Sequence, residues 1–205
     1  TLAAAITAKK LLIPVAHIEA GLRSGDREMP EEINRIATDA IADYLFVTEK
    51  SGHQNLINEG KSNSSIFFVG NTMIDSLLAA MEKAEKSNIC NELALSKGEY
   101  ALITLHRPSN VDDKDKLAEF IEIFEYLSKS RKVVFPIHPR TMKNIEATGL
   151  IDRIKSNANL HLLEPMGYID FLKVMSEADF VMTDSGGIQE EATGLGKPCL
   201  VLREV

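Results

Sequence analysis

Short, nearly uninterrupted apolar runs recur along the chain. Between them lie stretches in which apolar residues return every third or fourth position. The runs at 11–16, 44–47, 66–69, 100–105, 133–137, 160–163, 180–182 and 199–202 predict strands buried on both faces of a parallel sheet. Helical spacing predicts helices over 1–10, 30–41, 50–59, 73–86, 115–129, 168–176 and 188–195. In the second of these, Ile33, Ile36, Ala37, Ala40 and Ile41 form the apolar face. Pro30 followed by Glu31 and Glu32 marks its start. Strands alternating with helices predict an α/β fold with parallel sheets and right-handed crossovers.

Residues 87–98 are polar and weakly patterned, and are read as an interdomain linker. The expected organisation is a first Rossmann-like domain over 1–86 and a second over 99–205. The chain opens in a helix with no strand before it and closes on a strand with no helix after it. Both domains are therefore expected to be truncated at the chain ends.

Polar groups at the carboxyl ends of parallel strands are where open α/β sheets bind ligands. The first run leads into His17-Ile18-Glu19-Ala20-Gly21-Leu22-Arg23-Ser24, which makes Glu19 and Arg23 candidates. His17 is read as a satisfied, partly buried histidine. Glu31 and Arg35 are four apart on one helix face, a spacing that also fits a plain surface ion pair. His106-Arg107-Pro108-Ser109-Asn110 and His138-Pro139-Arg140 follow later strands.

The stretch 180–198, FVMTDSGGIQEEATGLGKP, reads as strand, glycine turn and helix. Gly186 and Gly187 let a phosphate approach free backbone N–H groups at the positive end of a helix, and Ser185 adds a hydroxyl. Glu190 and Glu191, expected in the first turn, suit a sugar diol rather than a phosphate. A plain βα turn with an N-cap serine fits the same residues.

The chain has 205 residues, 44% of them hydrophobic, and a net charge of −7. That suits one large or two smaller soluble domains and argues against nucleic acid or an anionic membrane as partner. No run approaches a membrane span and no signal peptide is visible. Cys90 and Cys199 are far apart without metal spacing, and read as reduced thiols of a cytoplasmic protein.

HIEAGLRS, MPEEINR, GNTMID, LHRPSN, PIHPRT and TDSGGIQEEATGLGKPCLVLR, in this order, resemble the non-hydrolysing UDP-N-acetylglucosamine 2-epimerases. The likeness runs through essentially the whole chain. It implies two Rossmann-like domains of the glycosyltransferase-B type, usually in a cytoplasmic homodimer, with neither NAD nor metal. It implies interconversion of UDP-GlcNAc and UDP-ManNAc for surface polysaccharide synthesis. UDP would leave by anti elimination to 2-acetamidoglucal and then add back. The family's motif glutamates match Glu19 and Glu31, and its motif histidine, at the leaving diphosphate, matches His106. Ser185, Gly186 and Gly187 match the diphosphate cradle, Glu191 the ribose ligand and Phe171 the residue at the uracil. Arg35 is taken as a further substrate contact.

The family's V-x-G-D-T aspartate and T-E-R-P arginine fall outside this chain. Many bacterial members read HRRE where this chain reads HRPS. A second, regulatory UDP-GlcNAc site, known in some members, would fall to Arg107 and His138. The same motifs leave room for a hydrolysing 2-epimerase releasing ManNAc and UDP, for a glycosyltransferase of the same fold, and for a nucleotide-sugar-binding module without catalysis.

Overall fold

A computed structural model describes residues 1–202. Its backbone divides into two units, the first Thr1–Asp75 and the second from Ser76 onward.

In the first unit, α1 (Leu2–Lys10) leads to β1 (Ala16–Ile18), α2 (Pro30–Ile41), β2 (Tyr44–Val47), α3 (Lys50–Asn58) and β3 (Ile66–Phe68). The three strands are parallel in the order β1-β2-β3, with Ala16 paired to Tyr44 and Leu45 to Ile66. Ala5, Val15, Leu45, Val47, Leu56 and Ile66 form the core.

The strands of this unit are not buried on both faces as the runs predict: Ile18, Tyr44, Phe67 and Phe68 are exposed. Two further sequence expectations fail here. The first strand was expected over 11–16 but begins at Ala16. Leu12 adopts φ +60°, and its N–H and that of Ile13 bond back to the carbonyls of Lys9 and Ala8. This is the Schellman pattern, with a leucine in the left-handed position usually given to glycine. The apolar run is therefore used to end α1, and Leu11 and Leu12 are exposed. The second failure is the buried face of α2. Ile33 is exposed, whereas Glu32, Thr38 and Asp39 are buried. Donors from the loop after β1 satisfy these acids, which lets them displace the isoleucine from the interior.

Helix α4 (Thr72–Ala84) contains the division between the units, and α5 (Ile89–Glu92) follows within 87–98. The second unit continues through β4 (Tyr100–Thr104), α6 (Pro108–Val111), α7 (Lys114–Ser128), β5 (Lys132–Pro136), α8 (Pro139–Ala147) and α9 (Ile151–Lys155). It then adds β6 (Leu160–Leu163), α10 (Tyr168–Glu177), β7 (Phe180–Thr183), α11 (Gly186–Gly194) and β8 (Cys199–Val201). The short helices α5, α6, α8 and α9 have no counterpart in the sequence reading; α6 and α8 start on prolines, which fit a first helical turn.

The sheet order is β6-β5-β4-β7-β8, all parallel. The chain thus starts at the centre, builds one edge, returns and builds the other. That is the Rossmann pattern, and the reversal beside β4 is the place for a ligand. Every residue of β4 is buried. On one face Leu117, Ile121 and Phe124 of α7 pack into the core, where the Phe124 and Phe135 rings meet edge-on at 5.5 Å.

Candidate functional site

In the first unit the start of α1, β1 with the loop leaving it, and one side of α2 line a cavity of about 760 Å³. Glu31, Arg35 and Thr38 line it from one helix face, at i, i+4 and i+7, while His17 lines it from β1 and Glu19 from the loop that follows. Among the described residues the side chain of neither Glu19 nor Glu31 has a hydrogen-bond or ion-pair partner. Arg35 does not pair with Glu31. It donates instead to buried Glu32, at 3.1 Å from Nε and 2.8 Å from Nη2. Glu32 also accepts the N–H groups of Ser24 and Gly25 at 3.1 Å. Burial pushes its carboxyl up, but Arg35 and the two N–H groups outweigh that and hold it down at about 2.

Beneath the cavity lies Asp39, wholly inaccessible to solvent. It accepts from His17 Nδ1 at 2.5 Å and Gly21 N at 3.0 Å, and pairs with Arg23 Nη1 at 2.8 Å. Burial raises its pKa, and these donors, led by His17, more than reverse the effect. Arg23 also forks onto Glu59, at 2.8 and 2.6 Å. The guanidinium of Arg23, a candidate from sequence, thus spends its donors on Asp39 and Glu59 and ties the loop to α2. His17 is buried and bonded, as expected.

In the second unit the carboxyl ends of β4, β5 and β7 come together. Asp184, directly after β7, is also wholly buried. It accepts the backbone N–H groups of His106 and Arg107, at 3.0 and 2.8 Å, and Asn110 Nδ2 at 3.2 Å. His106 Nδ1 lies 2.8 Å from it. One buried carboxylate thus fixes the start of the His106-Arg107-Pro108 turn. Arg107 Nε in turn donates to the Asp184 carbonyl at 2.7 Å. Thr104 and Thr183 share a hydrogen bond of 2.6 Å between the two strands. Beside this turn a cavity of about 210 Å³ is lined by Thr104, Leu105, His106, Pro136, Ile137, His138, Pro165, Met166 and Phe171.

Ser185 is the N-cap of α11, its Oγ accepting from Ile188 N at 3.5 Å. Gly186 and Gly187 are the first helical residues, so their N–H groups have no intrahelical acceptor. Because the helix begins this early, Glu190 and Glu191 fall in its second turn, not the first. Glu191 Oε1 accepts from Tyr168 OH at 2.8 Å. Burial, then this bond, pushes the Tyr168 phenol up to about 12.

The model of the UDP-N-acetylglucosamine 2-epimerase family matches residues 1–205. The chain belongs to that family. It is 46% identical over 209 residues to UDP-N-acetylglucosamine 2-epimerase of Methanocaldococcus jannaschii, covering 99% of this chain and 57% of that relative. A crystal structure of the M. jannaschii enzyme in complex with UDP-GlcNAc and UDP superposes with a TM-score of 0.82 at 46% identity, over 99% of this chain and 57% of that one. UDP-2,3-diacetamido-2,3-dideoxy-D-glucuronate 2-epimerase of Pseudomonas aeruginosa is 40% identical, over 100% of this chain and 56% of that relative. The chain therefore spans a little over half the length of these relatives.

Within this epimerase-family chain, Glu19, Glu31 and Arg35 share one cavity, and His106, His138 and Phe171 share another. Arg107, Ser185, Gly186, Gly187 and Glu191 line neither. Sequence reasoning missed Asp39, Asp184 and Glu32. Asp184 sits inside a motif that was quoted, but the signal that would single it out is a partner 78 positions away. Among the described residues of this family member, no group of three His, Cys, Asp or Glu side chains is arranged to hold a metal ion. Among the described residues no helix is long and apolar enough to cross a membrane.

Proposed function

We propose that the protein epimerises UDP-GlcNAc at C2 without hydrolysis, giving UDP-ManNAc. The observation that carries this reading is the pair of unpartnered carboxylates, Glu19 and Glu31, on one cavity of a chain belonging to this family. Carboxylates that spend no hydrogen bond on the protein remain available to exchange a proton with a ligand. The relative solved with UDP-GlcNAc and UDP supports the substrate class.

The C1–O bond breaks first, and its electron pair leaves with the diphosphate. A carboxylate takes the C2 proton, and C1 and C2 join by a double bond, giving 2-acetamidoglucal. The other glutamate, protonated from solvent as the carboxylic acid, gives its proton to C2 from the opposite face as a diphosphate oxygen re-forms the bond to C1, and exchange with water restores both groups. Glu19 and Glu31 divide the proton transfers, and Arg35 contacts the sugar. His106, with the N–H groups of Gly186 and Gly187 and the Ser185 hydroxyl, stabilises the charge on the departing diphosphate. Phe171 contacts the uracil and Glu191 the ribose. Arg107 and His138 add contacts to the nucleotide. The same reading makes the protein a cytoplasmic homodimer whose product feeds surface polysaccharide synthesis.

The test is incubation of the intact protein with UDP-GlcNAc in heavy water, followed by NMR. Deuterium at C2 of both sugar nucleotides, with no free ManNAc, is the expected result. Epimerisation with the C2 hydrogen retained excludes elimination, and free ManNAc assigns the hydrolysing reaction instead. The P. aeruginosa relative carries the name of a different sugar nucleotide, so its substrate serves as the competing arm.

A further inference from the structure

Glu19 occupies a backbone conformation that its residue type avoids. Its φ is +69°, in the left-handed region where a Cβ crowds the following carbonyl. A glycine would sit there with less strain, yet the residue is a glutamate on the wall of the cavity. Such strain persists only where the surroundings over-determine it.

The surroundings here are specific. On the N-terminal side of Glu19, His17 Nδ1 meets Asp39 Oδ1 at 2.5 Å. On the C-terminal side, the Gly21 N–H donates to the other oxygen of the same carboxylate at 3.0 Å. Between them the Ala20 N–H is tied to the Phe46 carbonyl at 3.0 Å, and Asn55 Nδ2 donates to the Gly21 carbonyl at 2.9 Å. Gly21 presses so closely on α3 that a Cβ there would lie 2.2 Å from the Gly52 carbonyl oxygen. Asp39 therefore grips the turn on both sides of Glu19, from a fully buried position, while the Glu19 side chain itself has no protein partner among the described residues.

We propose that Asp39 and His17 are positioning residues for the reaction, clamping the end of β1 and the turn at 19–21 so that the Glu19 carboxylate stands at one fixed place in the cavity. The proposal rests on the reading of Glu19 as a proton-transfer group. The carboxylate of Asp39 keeps the His17 proton on Nδ1, and the imidazole acts as a strut between α2 and the turn. Neither side chain needs to touch the substrate. Misplacing a catalytic carboxylate by a fraction of an ångström slows the chemical step without weakening binding in proportion.

The experiment uses the intact protein and the C2-exchange assay. His17→Ala and Asp39→Asn are expected to lower kcat by about 10–100-fold while KM moves by less than about threefold. His17→Asn, whose side-chain amide can still donate to Asp39, is expected to recover most of the loss. In a Glu19→Gln background, His17→Ala is expected to cost nothing further, because both changes act through one carboxylate. A merely structural role would give losses that multiply in that background and no rescue by asparagine. His17→Ala turning over like the parent, or multiplying the Glu19→Gln loss, overturns the clamp. Glu19→Gln turning over normally overturns instead the reading of Glu19 on which the clamp rests. If Asp39→Asn does not fold, the two His17 variants decide the question alone.

Discussion

His106 Nδ1 stands 2.8 Å from Asp184 Oδ1, and the same carboxylate accepts the backbone N–H groups of His106 and Arg107. The ring is half exposed while its partner is wholly buried, so Asp184 holds the turn from beneath, just past the end of β7. Asp184→Ala would leave these donors and the Asn110 amide facing an empty acceptor site. A loss of about 3–5 kcal/mol in denaturant unfolding is expected, with a smaller loss for Asp184→Asn. An alanine variant as stable as its parent would show that other acceptors take over these donors.

Acid should loosen the first unit through Glu32. Its folded value of about 2 lies below the ordinary 4.5. The unfolded chain therefore binds the proton more readily. The stability contributed is complete above pH 4.5 or so and is lost as pH falls through about 2. Glu32→Gln should cost ~2 kcal/mol at neutral pH and flatten the decline between those limits. Urea midpoints for both proteins across that range provide the check, and parallel curves would contradict the assignment.

Two glycines with the same sign of φ should respond differently to alanine. Gly21, at φ +80°, has the Gly52 backbone against it; Gly25, at φ +77°, has open space. Gly25→Ala should cost roughly 1 kcal/mol, from the backbone conformation alone. Gly21→Ala adds a collision that only movement of α3 can relieve, so it should cost at least about 2 kcal/mol more. Equal thermal shifts in the two variants would mean that the approach of Gly21 to α3 is not tight in solution.

The two classes of glutamate should separate kinetically. On the proposed reading Glu191, held by Tyr168, contacts the ribose and Glu31 transfers a proton. Glu191→Gln should raise KM and the calorimetric Kd for UDP about tenfold with little change in kcat. Glu31→Gln should lower kcat by about 10²–10⁴-fold and leave UDP binding intact. Normal turnover by the Glu31 variant would reduce Glu31 to a solvated surface acid.

Much of this was legible in the residues. Runs such as 44–47 and 160–163 became strands with the expected bounds, because a short apolar run is a strong local signal even where, as at Tyr44, the strand is covered on one face alone. Glu19, Glu31 and Arg35 met in one cavity because their helix and loop adjoin in sequence. What stayed hidden is non-local. Asp39 and Glu32 look like solvent-facing positions of an amphipathic helix until donors from the preceding loop surround them. The run at 11–16 misled because its leucines close a helix through a left-handed turn, a use that composition does not mark.

The strand order of the second unit carries a consequence for how its site comes into being. Strands β4, β5 and β6 pair in the order in which they are made, each with a near neighbour in the chain. β7 must return to β4 across the whole of that half, so its docking carries the greatest loop-closure entropy. Asp184 arrives with β7. Until that strand docks, His106 and Arg107 have no carboxylate to organise them. The ordering of the His106-Arg107 turn therefore waits on the most distant strand pairing of this unit, and a half-built sheet would hold its hydrophobic centre without that turn fixed in place.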